Sequence, residues 1–125
     1  LRRNKVEEMQ MIRDWKTYSD QVRAGVKDLG TSVPDTVKAY AEFHHATSKF
    51  THLDAKTREL IALAVAITLR CDGCINAHTQ GAIKAGASKE EISEALGVGV
   101  MVNAGAAMVY STHVLDAYSA FKPAT

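Results

Sequence analysis

The stretch Leu60-Ile61-Ala62-Leu63-Ala64-Val65-Ala66-Ile67-Thr68-Leu69, followed after Arg70 by Cys71-Asp72-Gly73-Cys74-Ile75-Asn76-Ala77-His78, decides how this chain is read. Between Leu60 and Leu69 only Thr68 is polar. Asp54 stands before the run as a favoured N-cap, so the spacing predicts a helix from Ala55 to about Arg70. A helix that is apolar nearly all round is either central in its fold or shared with a partner subunit. A small helical domain has few ways to surround such a helix, which points to an oligomer.

Working outward, the next eight residues hold the only two cysteines of the chain, with His78 one helical turn after the second. Thiols paired with an imidazole are the outline of redox chemistry. With Asp72 as N-cap of a helix ending at Gly86, Cys74 falls in its first turn. Unsatisfied backbone N–H groups and the positive dipole end favour a thiolate there. Cys71 then closes the preceding helix, where the dipole has the wrong sign. On that start, Cys74 is the nucleophile and Cys71 its resolving partner; if Cys71 is itself the cap, the roles could reverse. His78 shares a face with Cys74 at i, i+4 and is placed to take the thiol proton.

Three other readings of the pair stand beside redox. A structural disulfide would close a very short loop and constrain the unfolded chain little. A zinc site would use Cys71, Cys74 and His78, with no fourth ligand nearby in sequence. Two inert buried thiols are the third. A Cys-x-x-Cys motif is common in the thioredoxin fold, but that fold needs βαβ units, and this sequence offers none.

The rest of the chain is helical in pattern. No segment alternates in polarity as a half-buried strand does, so the fold class is all-α. Met11, Trp15, Tyr18, Val22, Val26 and Leu29 form one apolar stripe in a first segment from about Asn4, which Gly30 closes. Pro34 opens a second segment carrying Val37, Tyr40, Ala41 and His44 on one face. His44 and His45 are adjacent and point about 100° apart on a helix, which is poor geometry for one shared metal ion. After Gly86, Ser88 and Glu91 form a capping box, with Ala87 and Ile92 as its staple. Gly97 and Gly99 are small enough for close helix contact. Asn103-Ala104-Gly105 looks like a break, and a last helix runs from about Gly105 to Phe121. About six helices are expected, in a single domain over residues 1–125, with a helical N-terminal part at 4–47.

Composition bounds the function. The chain has 125 residues, 15 basic and 14 acidic, for a formal charge of +1, and 46% hydrophobic residues. Charges of both signs are interspersed, so no clustered basic face marks a nucleic-acid partner. The basic start Leu1-Arg2-Arg3-Asn4-Lys5 is not followed by an apolar signal-peptide core. The longest apolar run falls short of the roughly 20 residues that a membrane span needs. A soluble, cytoplasmic protein without membrane association is expected. In that compartment a lone Cys pair is catalytic or metal-binding more often than a staple.

Glu59 in Thr57-Arg58-Glu59-Leu60-Ile61-Ala62-Leu63-Ala64, followed by Cys71-x-x-Cys74-x-x-x-His78, resembles the alkylhydroperoxidase D / carboxymuconolactone decarboxylase family. The resemblance covers roughly 53–121, including Gly86-Ala87-Ser88 and Asn103-Ala104-Gly105; the N-terminal third matches only in being helical. It implies an all-α fold assembling as trimers or hexamers. It implies that Cys71 and Cys74 cycle between dithiol and disulfide, with Glu59 and His78 as a proton relay, Cys74 reacting first. The implied substrates are peroxides or disulfides, and the implied reductant is a lipoyl-bearing partner or another thiol donor. No cofactor or metal is implied. The best-known peroxidases of the family carry a further histidine between the cysteines, where this chain has Asp72-Gly73. A non-redox alternative on the same scaffold would use His78 and Glu59 as acid and base in lactone decarboxylation. Glu59 enters by resemblance alone: it precedes Cys71 by twelve residues. That is about 18 Å along a straight helix, so it reaches the thiols only if a neighbouring helix folds back.

Overall fold

The computed structural model describes residues 11–124. Those residues form five α-helices and one short 3-10 turn, with no strand. The helices are α1 (Trp15–Ser32), α2 (Pro34–Ala46), α3 (Ala55–Leu69), α4 (Asp72–Lys84) and α5 (Lys89–Phe121), and the 3-10 turn, Thr47–Lys49, follows α2. The chain divides into two compact units, Leu1–Asp54 and Ala55–Thr125.

In the first unit, α1 begins later than the apolar stripe suggests. Asp14 is the cap: its carboxylate accepts from the Thr17 amide at 3.2 Å and from the Thr17 hydroxyl at 2.9 Å. Met11 to Arg13 precede the helix, and the expected helical stretch 4–10 lies outside the described residues. Gly30 does not end α1. The helix runs on to Ser32 and stops at Val33, whose φ of −131° and ψ of 64° leave the helical region. The residue before a proline is pushed out of that region by the ring, and Pro34 then starts α2. His44 and His45 lie in the last turn of α2. Among the described residues no third His, Cys, Asp or Glu joins them in a cluster fit for a metal.

In the second unit, α3 packs against both α4 and α5. Leu63 and Ala66 of α3, Ala82 of α4 and Gly99 of α5 are the buried positions among the described residues of this unit. Gly99 permits the closest approach. A Cβ there would stand 3.1 Å from Ile67 Cδ1 and 3.2 Å from the Ala64 carbonyl oxygen. The expectation for Gly97 does not hold, since nothing lies within 4 Å of its would-be side chain.

Two turns join these helices in the same way. After α4, Gly86 takes φ +86°, with the Ala87 amide donating to Ala82 O and the Gly86 amide to Ile83 O. After α3, Arg70 takes φ +52°, with the Cys71 amide donating to Ala66 O and the Arg70 amide to Ile67 O. Both are Schellman turns, but the second places a residue with a Cβ in the left-handed region that favours glycine.

The Ser88–Glu91 capping box forms as read, with both bonds at 3.0 Å. The break at Asn103-Ala104-Gly105 does not form. One continuous 33-residue helix replaces the two expected pieces, giving five helices rather than about six. Asn103 turns its side chain back along the helix and donates to Gly99 O at 2.7 Å, so it serves the helix it was expected to interrupt. Alanines flank Gly105, and no proline occurs between Lys89 and Phe121.

This helix is about 50 Å long, and only its first part is packed. Every described residue from Met101 onward is exposed, including Met108, Val109, Tyr110, Leu115 and Tyr118. By length and composition alone, α5 is apolar enough to cross a membrane, which neither of the two shorter expected pieces was.

Candidate functional site

The site is built where the α3–α4 turn reverses the chain. Cys71 follows the left-handed Arg70 and is the N-cap of α4. Its sulfur accepts the Cys74 amide at 3.1 Å. The helix therefore starts one residue earlier than the Asp72 cap expected from sequence. The cause is local: the Schellman turn ends α3 at Leu69 and hands the cap position to Cys71. The dipole argument then no longer singles out Cys74. Cys74 is the third residue of the first turn, and the cap sulfur itself receives a backbone N–H.

Cys71 and Cys74 are joined by a disulfide, with their Cα atoms 5.2 Å apart. Both are half-buried. His78 lies one turn further along α4. Antiparallel packing of α4 on α3 brings Glu59, near the start of α3, to His78 near the middle of α4. His78 Nδ1 lies 2.8 Å from Glu59 Oε2. The distance along α3 that separates Glu59 from the cysteines is thus undone by α4 running back beside it. When the carboxylate is ionised it can only accept, so Nδ1 then carries the proton and donates the hydrogen bond to Glu59 Oε2. In the neutral ring Nε2 is then an unprotonated base.

The pair is partly sheltered, with side-chain exposures of 29% for His78 and 28% for Glu59. The Lys56 ammonium lies 2.8 Å from Glu91 Oε2 and ties the start of α3 to the capping box of α5. The Lys56 hydrogen bond, followed by the Ser88 amide, holds the Glu91 carboxyl below its usual range. All four residues singled out in the sequence, Glu59, Cys71, Cys74 and His78, therefore lie on the paired helices α3 and α4 or at the turn between them. Sequence reasoning missed two others. Arg70 takes up the left-handed position before Cys71, a place where glycine was the residue to look for. Gly81, one turn beyond His78, lies under the Glu59 carboxylate, and its signal was a glycine inside a helical pattern.

Comparison with known proteins gives the family and the fold. The sequence model of the carboxymuconolactone decarboxylase family matches residues 34–117. The match begins at α2, earlier than the resemblance read from sequence. An uncharacterized protein of Haemophilus influenzae is 47% identical over 112 residues, covering 90% of this chain and 99% of its own length. An uncharacterized protein encoded in the cox locus of Paracoccus denitrificans is 37% identical over 86 residues, covering 69% of this chain and 75% of its own. Among solved structures, the chain is similar to an apo carboxymuconolactone decarboxylase family protein from Legionella pneumophila. The TM-score is 0.66 at 29% identity, covering 87% of this chain and 97% of that one. A protein from Methanobacterium thermoautotrophicum superposes with a TM-score of 0.62 at 27% identity, covering 67% of this chain and 94% of its own.

Proposed function

The chain belongs to the carboxymuconolactone decarboxylase family, and we propose that it acts within it as a thiol–disulfide oxidoreductase of the alkylhydroperoxidase kind. The observation that carries this reading is the Cys71–Cys74 disulfide on the same helix as a His78 ring held by Glu59 at 2.8 Å. In the reduced protein, His78 Nε2 takes the proton of Cys74. The Cys74 thiolate attacks the nearer peroxide oxygen, the O–O bond breaks, and the departing alkoxide takes the proton back from His78 as an alcohol. Cys74 is left as a sulfenic acid. The Cys71 thiol gives up its proton and its sulfur attacks that of Cys74; the disulfide forms, the S–O bond breaks, and the departing hydroxide takes up that proton as water. A dithiol donor, lipoyl-bearing or otherwise, then returns both cysteines to thiols and is itself oxidised to a disulfide.

Two features divide the labour. Cys74 has the base at i, i+4, which suits the first attack. Cys71 has the cap position, where the Cys74 amide favours its anion and so suits the second attack. The test uses the single replacements. In Cys71→Ser, peroxide should leave a sulfenic acid on Cys74 that dimedone captures, and Cys74→Ser should give no turnover. Wild-type turnover in Cys74→Ser would overturn the assignment. The acid–base alternative, lactone decarboxylation by Glu59 and His78, predicts activity that survives replacement of both cysteines by serine.

Assembly with further copies belongs to the same proposal. The exposed apolar half of α5 and the exposed Ile61, Val65 and Leu69 of α3 are surfaces that a trimer or hexamer would cover. The proposed setting is the cytoplasm, where thiol donors keep such a pair cycling. Sedimentation of the purified protein reads the subunit count.

A further inference from the structure

We infer that Gly81 is a positioning residue for the Glu59–His78 pair, and that no larger residue can take its place without moving the carboxylate. This rests on the reading of that pair as the proton relay. A Cβ built on Gly81 would lie 2.7 Å from Glu59 Cδ and Oε2 and 2.9 Å from Oε1. Real Cβ atoms essentially never approach that closely, so any side chain at this position displaces the carboxylate. All three close atoms belong to Glu59, the residue that His78 holds from the preceding turn of the same helix. His78 and Gly81 are three residues apart and share the face of α4 that meets α3. One supplies the hydrogen bond and the other supplies the space.

Helix propensity sharpens the point. Gly81 lies in the last turn of α4, still at a helical position, where alanine is the better helix former. The glycine is therefore unfavourable to its own helix, and the three atoms nearest to the room it leaves are those of the carboxylate. Gly97 and Gly105 of α5 have nothing within 4 Å, so close contact is not a general property of glycines here. In the Gly81→Ala variant, the Glu59 carboxylate moves off, Nδ1 loses its acceptor, and the ring is free to carry its proton on either nitrogen.

The experiment is the cycle Gly81→Ala, Glu59→Ala and the double variant, on the full chain, with two readouts. The first is the ring nitrogen spectrum of His78 in protein labelled with ¹⁵N-histidine. In wild type the neutral ring should show Nδ1 protonated; Gly81→Ala should mix the two tautomers. The second is the pH profile of Cys74 alkylation in the reduced protein. Gly81→Ala should slow it about tenfold when Glu59 is present and less than about twofold in the Glu59→Ala background, because two changes to one interaction do not add. Equal slowing in both backgrounds, or an unchanged tautomer, would overturn the inference. If Gly81→Ala fails to fold, the double variant, which removes the clash, should fold; its failure would also count against the idea. The tautomer readout needs no turnover. A protein that shows the tautomer change yet reduces no peroxide would refute the proposed function and leave this inference intact.

Discussion

Replacing Glu59 by glutamine keeps the side-chain length and an oxygen to accept the His78 Nδ1 proton, but removes the charge. The 2.8 Å separation is that of a charge-assisted hydrogen bond. Hydrogen bonds to a charged group contribute about 1.5–3 kcal/mol and neutral ones about 0.5–1.5 kcal/mol, so the difference is about 1–1.5 kcal/mol. Residual exposure of the pair screens part of it, leaving about 1 kcal/mol as the loss when the ring becomes an imidazolium. That is roughly a fivefold slower proton removal from Cys74. His78→Ala removes the base altogether and should slow the reaction by about 10²–10⁴-fold. The assay is a single turnover: reduced protein is mixed with a hydroperoxide, quenched by an alkylating agent at set times, and the disulfide form is weighed by mass spectrometry. A Glu59→Gln rate equal to wild type, with unchanged far-UV circular dichroism, would refute the reasoning. So would a rate as low as that of His78→Ala, because the carboxylate would then do more than stabilise charge.

Other consequences concern the frame of the site. Arg70→Gly should stabilise the protein: the left-handed conformation costs a residue with a Cβ about 1–2 kcal/mol. The greater freedom of glycine in the unfolded chain returns about 0.4–1 kcal/mol of that, leaving a net gain near 1 kcal/mol that thermal melting would detect. Gly86→Ala should do the opposite at its φ of +86°. The depressed Glu91 carboxyl makes the Lys56–Glu91 tie a neutral-pH contribution, present above the ordinary carboxyl value of 4.5 and lost as pH falls through the lowered one. The melting temperatures of wild type and Lys56→Met should therefore differ at pH 7 and converge in acid; a gap that persists in acid would sink this account. Leu115→Glu, at a position 68% exposed within the chain, should leave helicity intact but lower the assembled mass in sedimentation. An unchanged mass would remove α5 from the interface, and co-sedimentation of wild type with lipid vesicles would assign that surface to a membrane instead.

Local chemistry wrote much of this fold into the sequence. The capping box at Ser88 and Glu91, the proline start at Pro34 and the turn glycine at Gly86 act within a few residues, and each stands where the sequence pattern puts it. Structure and pattern part where a residue has two local options and packing chooses between them. Asn103 is a poor helix former in isolation, yet its side chain bonds to the turn before it and the helix continues. Gly30 is a common terminator, yet the clash of Pro34 with Val33 sets the actual end. Cys71 reads in sequence as the last residue of one helix and is the cap of the next, because Arg70 accepts a backbone conformation that sequence rules reserve for glycine. The Glu59–His78 pair is invisible to spacing: nineteen residues separate the two. Only the sense in which α4 returns along α3 makes them neighbours.

The Glu59–His78 pair and the open surface share α3. One side of this helix is closed by α4 and α5 through Leu63 and Ala66; the other presents Ile61, Val65 and Leu69. Glu59 stands at the start of the same helix, turned to α4. An apolar helix with half its surface open is a poor element for a monomer, because burying apolar side chains is the main favourable term in folding. The same arrangement is reasonable for a subunit whose α3 is closed from the far side by another copy. Ile61 lies about 200° round the helix from Glu59, so such closure would leave the Glu59–His78 pair on its own face, against α4. Oligomer formation and the strength of the Glu59–His78 bond are therefore expected to vary independently, although one helix carries both surfaces.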